Sequence, residues 1–224
     1  MKRAHIQVAI SSWFGPQDYT DNVFREMINF NFPIKWCVYY EKEGYGDPSE
    51  TQLFMDINYI LSSYGGSPNY FKIDGKPVVF VYGSPSDGAS YAQRWRAVRE
   101  QLNVFTVLKV FPGYERYANY ADSWHQYAPD IRFEQQSVYS AFVSPGFWKY
   151  NEQARLKRDP AEFDRAVARL ASCGTQFLLI ETWNEWHEGT QIEPGQLVNR
   201  EDVPFTPVAP SYGTTYIDII AKYF

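Results

Sequence analysis

Pro77-Val78-Val79-Phe80-Val81-Tyr82-Gly83 is the stretch on which the fold turns. Its apolar residues at 78–81 run without polar alternation, a pattern that suits a strand covered on both faces by helices rather than an antiparallel sheet with one wet side. Working outward, short β-branched and aromatic runs recur at residues 6–11, 35–41, 104–110, 124–127, 138–143 and 176–182. Helix-like segments lie between them. Ser49 followed by Gln52 is a capping box, Leu53, Phe54, Ile57, Ile60 and Leu61 form one apolar face, and Gly65-Gly66 ends it. Asp159 as N-cap, Pro160 at the first helical position, Glu162, and an apolar face of Phe163, Val167 and Leu170 repeat the logic, with Gly174 beyond the end. Further helices are expected at 21–30, 91–102 and 215–223. Strand and helix in alternation give the α/β class, and seven strands predict a (β/α)8 TIM-type barrel short of one strand. An open doubly wound sheet is the alternative, but Ser11-Ser12-Trp13-Phe14-Gly15-Pro16 after the first strand is no phosphate-binding loop. No segment has a linker composition, so residues 1–224 are expected to form one domain.

The 224 residues are 45% hydrophobic and 21% charged, which excludes disorder, collagen and coiled coil. Twenty-one Lys and Arg against 26 Asp and Glu leave a net charge of -5, so nucleic acid and anionic membranes are poor partners. No apolar run approaches the roughly 20 residues that span a bilayer. Met1-Lys2-Arg3 is basic but leads into no signal-peptide core, giving a soluble protein that is either cytoplasmic or exported with its signal removed. Cys37 and Cys173 make neither a metal motif nor a disulfide framework. The unusual feature is aromatic: 7 Trp, 18 Tyr and 16 Phe, rings that fill cores but also suit the faces of sugars.

In parallel βα architectures the chemistry collects at the carboxyl ends of strands. Of the exits, Trp183-Asn184-Glu185-Trp186-His187-Glu188-Gly189 carries the most functional groups. Glu185 and Glu188 are three apart and neighbours if the chain turns there. An E-x-x-E alone reads as two solvated loop acids; its place at a strand exit among Trp183, Trp186 and His187 favours a carboxylate pair that divides acid and base roles, as glycoside cleavage requires. A zinc cluster of His187 with Glu185, Glu188 or His125 is the weaker reading, since no two His lie at ligand spacing. No G-x-S-x-G elbow is present. No metal and no cofactor are expected.

The run from Glu181 to Pro194, with Asn184-Glu185-Trp186-His187-Glu188-Gly189-Thr190-Gln191-Ile192-Glu193 at its centre, resembles the glycoside hydrolase family 99 endo-α-mannosidase and endo-α-mannanase group and its bacterial relatives. Shorter similarity lies in residues 9–16, in Tyr39-Tyr40-Glu41, and in residues 70–77 leading to Tyr82. The resemblance implies a (β/α)8 barrel that cleaves α-mannosidic or similar linkages in an oligosaccharide or polysaccharide. Glu185 would be the base on the sugar's own 2-hydroxyl, forming an anhydro-sugar, and Glu188 the acid/base at the glycosidic oxygen. Asn184, Trp186 and His187 of the motif would contact substrate. By looser similarity, Trp13 and Phe14 would line the subsite beyond the cleaved sugar, Glu41 and Tyr82 would bind hydroxyls, and Tyr127 would approach the reacting centre.

Members of that group open with a tyrosine- and tryptophan-rich strand, whereas this chain starts at what resembles the second. The expectation is a barrel lacking its first strand, with ladder edges at 6–11 and 176–182 open to self-association, closed by distortion or left as a gap that lowers activity. Two other readings stand beside hydrolysis: a sugar-processing protein of surface-polysaccharide synthesis associated with glycosyltransferases, and a non-catalytic carbohydrate-binding remnant.

Overall fold

The structure, a computed structural model, describes residues 1–84, 87–149, 152–195 and 212–224. The chain falls into two compact units, one of residues 6–125 and one of residues 126–224 with the first five.

The first unit is a succession of βα steps: β1 (Val8–Trp13), α1 (Tyr19–Asn29), β2 (Lys35–Tyr40), α2 (Lys42–Tyr45), α3 (Glu50–Ser63), β3 (Lys72–Ile73), β4 (Lys76–Val81), α4 (Ala89–Gln101), β5 (Phe105–Lys109) and β6 (Ser123–His125). The sheet order is β1-β2-β4-β5-β6, every neighbour parallel, with β3 added to β4 as a hairpin. Val78, Val79, Phe80 and Val81 are all buried, as their unbroken apolar run demands. The first strand lies two residues later than its expected span. Val8 pairs with Lys35 and Trp13 with Tyr40, so Ser12 and Trp13 belong to the ladder. Ser49 caps α3 by accepting the Gln52 N–H at 3.2 Å.

The second unit holds β7 (Phe133–Gln136), β8 (Ser140–Val143), α5 (Pro160–Ser172), β9 (Phe177–Ile180) and α6 (Thr215–Ala221). β8 and β9 are parallel and α5 crosses between them, whereas β7 runs antiparallel to β8. The all-parallel expectation fails at two places. The polar Phe133-Glu134-Gln135-Gln136 and the two-residue Lys72-Ile73 carry too little apolar pattern to be read as strands. Val138, expected to start a strand, is instead 69% exposed in the turn between β7 and β8. Asp159 accepts the Ala161 and Glu162 N–H groups at 2.9 and 3.1 Å, and Gly174 follows α5 at φ +66°, a left-handed conformation that glycine adopts without Cβ strain.

Among the described residues β1 pairs with β2 alone and β9 with β8 alone. Each is the edge of its sheet, and the exposure of Ile10 at 37% and Leu178 at 41% follows from that position. Among the described residues no helix is long and apolar enough to cross a membrane. Both cysteines are free.

One buried carboxylate ties the first unit together. Asp21 in α1 accepts the Trp13 indole N–H at 2.7 Å, the Tyr64 hydroxyl at 2.5 Å, the Tyr59 hydroxyl at 2.7 Å and the Gln17 N–H at 2.9 Å, and pairs with Arg25 at 3.1 Å. It thereby joins the end of β1, the start of α1 and the end of α3. Removing an acceptor that satisfies several buried donors leaves them stranded, so Asp21→Ala should lose about 3–5 kcal/mol. Urea unfolding followed by tryptophan fluorescence measures this; a loss below about 1 kcal/mol, the ordinary worth of one hydrogen bond, contradicts the hub.

Candidate functional site

The loop after β9 is closed on itself before any functional group is considered. The Thr182 N–H donates to the Thr190 carbonyl at 2.8 Å, the two threonine hydroxyls meet at 2.8 Å, and the Ile192 N–H returns to the Thr182 carbonyl at 2.9 Å. Arg158 spans the far side, donating to the Gly189 carbonyl at 2.7 Å and the Gln191 carbonyl at 2.8 Å. Its guanidinium is itself held over Tyr212 and Tyr216, at 4.6 and 4.2 Å from the ring centroids. Gly189 sits at φ +63°, and a Cβ there would lie 1.8 Å from a Trp148 ring carbon. The loop therefore packs flat on Trp148, whose N–H donates to the Glu188 carbonyl at 3.0 Å.

Glu185 and Glu188 lie on this one loop, both half-buried. The Glu185 N–H donates to the Thr182 hydroxyl at 3.1 Å, and its Oε1 accepts the His187 N–H at 3.0 Å. Glu188 Oε2 accepts the Tyr127 hydroxyl at 3.2 Å, while Oε1 faces the Lys149 ammonium at 3.6 Å. Burial, then the charges of Glu188, Glu181 and Glu185, push the Tyr127 phenol well above its ordinary pKa, so it stays a proton donor. Trp186 is 47% exposed with its indole N–H on Glu193 Oε2 at 3.0 Å, and Asn184 and His187 are exposed on the same loop. An exposed ring is a group that can stack on a sugar, and half-buried carboxylates are groups that can exchange protons with one.

The residues expected on the first unit stand at the carboxyl edge of its sheet. Glu41, directly after β2, is buried and accepts the Ser12 hydroxyl at 2.6 Å; burial pushes its carboxyl up to about 6 against that lowering hydrogen bond. Tyr82, directly after β4, is half-buried beside Tyr39 at 5.8 Å between ring centroids, with the Lys109 ammonium 4.8 Å from its own. Phe14 is 38% exposed against Tyr45 at 5.5 Å and, with Lys42, Gly46, Asp47 and Pro48, lines an open cavity of about 370 Å³. Trp13 is placed elsewhere than at an open subsite: it has no exposed surface, because its indole belongs to the Asp21 hydrogen-bond cluster. Sequence reasoning passed over Glu181, Lys149 and Arg158. Lys149 follows the aromatic exit Phe147-Trp148 directly, which is the signal that could have found it; Arg158 reaches the loop only through the Gly189 and Gln191 carbonyls and leaves none. No group of three His, Cys, Asp or Glu among the described residues is placed to hold a metal ion.

No model of a known protein family matches the chain. Two curated relatives, both named glycoprotein endo-α-1,2-mannosidase, from Rattus norvegicus and Mus musculus, are each 21% identical across the whole of this chain. The chain spans 58% of the length of these relatives. Among solved structures, the family 99 endo-α-mannosidase of Bacteroides thetaiotaomicron superposes with a TM-score of 0.78 at 18% identity, covering 99% of this chain and 75% of that one. The same enzyme in complex with bis-tris propane gives 0.79 at 18% identity, covering 99% and 79%. A structure described as a glycoside hydrolase-like protein gives 0.70 at 17% identity, covering 100% and 82%. The resemblance to the family 99 group is thus present in sequence relatives and in fold, and the fold is of the α/β TIM-type barrel class.

Two measurements probe this geometry. Gly189→Ala places a side chain inside Trp148 at a left-handed φ, and should cost at least about 2 kcal/mol and displace the loop; differential scanning calorimetry reads the first and near-ultraviolet circular dichroism the second. Glu41 binds its proton more tightly folded than unfolded, so between pH 4.5 and about 6 the native state holds more protons and stability falls as pH rises. Glu41→Gln should flatten that part of the pH–stability curve, and an unchanged slope contradicts the burial of an ionisable Glu41.

Proposed function

We propose that the chain is an endo-acting glycoside hydrolase of the α-mannosidase kind, with Glu188 as acid/base and Glu185 as base. The observation that supports this best is the presence of both carboxylates on one loop, with Tyr127 donating to Glu188. Glu188 in its acid form protonates the glycosidic oxygen as the C1–O bond breaks. Glu185 removes the proton of the 2-hydroxyl, whose oxygen attacks C1 and gives a 1,2-anhydro-sugar. Water then opens that ring at C1, its proton returning to Glu188, and Glu185 returns a proton to O2. Two inversions at C1 give net retention of configuration. Asn184, Trp186 and His187 are the proposed contacts to the rest of the glycan on this loop; Phe14, Glu41 and Tyr82 of the first unit are proposed separately as glycan-binding residues. The names of the relatives make α-1,2-linked mannose oligomers the first substrates to test.

Exposed rings support a second reading. Trp186 at 47%, Phe14 at 38% and Tyr45 at 73% exposure are platforms that hold a glycan without any chemistry. Incubation with α-1,2-mannan oligosaccharides, with products followed by NMR, separates the two, since binding without products leaves only the second. Glu188→Gln keeps shape but loses the proton donor, so it should lower kcat by about 10²–10⁴-fold while calorimetric binding of the same oligosaccharide persists. Unchanged turnover in that variant rules out the acid role.

A further inference from the structure

Glu181 is a carboxylate that the hydrolytic scheme does not use. It is the first residue after β9, only 4% exposed, and its Oε1 accepts the Ala128 N–H at 3.0 Å. A buried carboxylate is costly unless it does work as an acceptor, and an apolar side chain of the same size packs there more favourably. What it accepts from is the informative part. Ala128 lies outside any strand, so its N–H goes to a side chain instead of a ladder carbonyl, and the preceding N–H of Tyr127 is taken by Gln126 Oε1 at 3.0 Å. The backbone on both sides of the Tyr127 side chain is therefore fixed by side-chain oxygens. From that backbone the Tyr127 hydroxyl reaches Glu188 Oε2 at 3.2 Å.

We propose that Glu181 is a positioning residue, whose carboxylate anchors the main chain at Ala128 and so keeps the Tyr127 hydroxyl on Glu188. The inference rests on the hydrolase reading of Glu188, but its geometry does not. The raised pKa of Tyr127, to which burial contributes first and the charges of Glu188 and Glu181 next, agrees with a phenol held as a donor to Glu188. Sliding a catalytic group by about 1 Å can cost 10²-fold in rate, which sets the size of effect to look for.

The test is a double-mutant cycle on the intact chain with α-1,2-mannan oligosaccharide as substrate. Glu181→Met keeps the volume and removes the acceptor; Glu181→Ala serves if the first variant does not fold. Either should lower kcat by about 100-fold with little change in KM. Glu181→Gln retains a carbonyl oxygen for the Ala128 N–H and should restore most of the loss. In a Tyr127→Phe background the Glu181 change should cost less than about twofold further, because residues acting through one another are not additive. Losses that multiply, or a Gln variant as impaired as the Met variant, overturn the proposal. Carbon-13 tyrosine NMR supplies a readout free of turnover: both variants remove the Glu181 charge, so the Tyr127 ring signal should move further in Glu181→Met than in Glu181→Gln, and equal shifts in the two also overturn it. A wild-type protein that hydrolyses none of these oligosaccharides defeats the hydrolase reading, while the Tyr127 signal still decides the role of Glu181.

Discussion

Parallel hydrogen bonding is the constraint from which the rest follows. Strands paired as β1-β2-β4-β5-β6 all point the same way, so their carboxyl ends share one edge of the sheet. Whatever follows each strand is delivered to that edge: Glu41 after β2, Tyr82 after β4, and His125 closing β6, with its Nε2 3.0 Å from the Val81 carbonyl. In the second unit the same rule governs β8 and β9, and their exits carry Trp148 and the Glu185–Glu188 loop, which meet through the Glu188 carbonyl and the Trp148 N–H. The pairing dictates where functional side chains can gather; their identities decide what is done there.

Within that frame the polar interior is organised by a few multiply bonded groups. Asp21 answers four hydrogen-bond donors, from β1, the turn before α1, and α3 and its C-cap, besides the Arg25 ion pair, and Glu43 accepts the Trp95 indole N–H at 2.7 Å while paired with Arg94 at 2.8 Å. Burial nonetheless pushes Glu43 up to about 7 against those partners. Such carboxylates hold indole and phenol rings in single orientations, which an aromatic-rich core does not do by itself.

Much of this was legible from residue order. The capping pattern of Ser49 and Asp159 located α3 and α5 because a cap is a local hydrogen bond, and the run 78–81 located β4 because burial on both faces leaves no polar position. The loop at 183–189 stood out because charged and aromatic residues cluster where a strand ends. Three things were not legible. β7 is polar and held by pairing rather than composition; Trp13 looked like a ligand platform because nothing local announces a bond to Asp21; and Glu181 reads as the end of an apolar strand until its acceptor role toward Ala128 is seen. Each depends on a specific hydrogen-bond partner, near for β7 and Trp13 and distant for Glu181, about which hydrophobic periodicity carries no information.

The perch of Arg158 on Tyr212 and Tyr216 ties the loop bearing Glu185 and Glu188 to α6, the last helix of the chain. Tyr216 is also packed edge-on against Phe163 of α5 at 5.2 Å, so the guanidinium rests on a ring that is itself immobilised. Loosening of α6 would therefore remove the seat of Arg158 and with it one of the braces of the loop. The acidic turn, closed by its own Thr182–Thr190 hydrogen bonds, takes a further part of its rigidity from α6, so amide protection in the two should fall together.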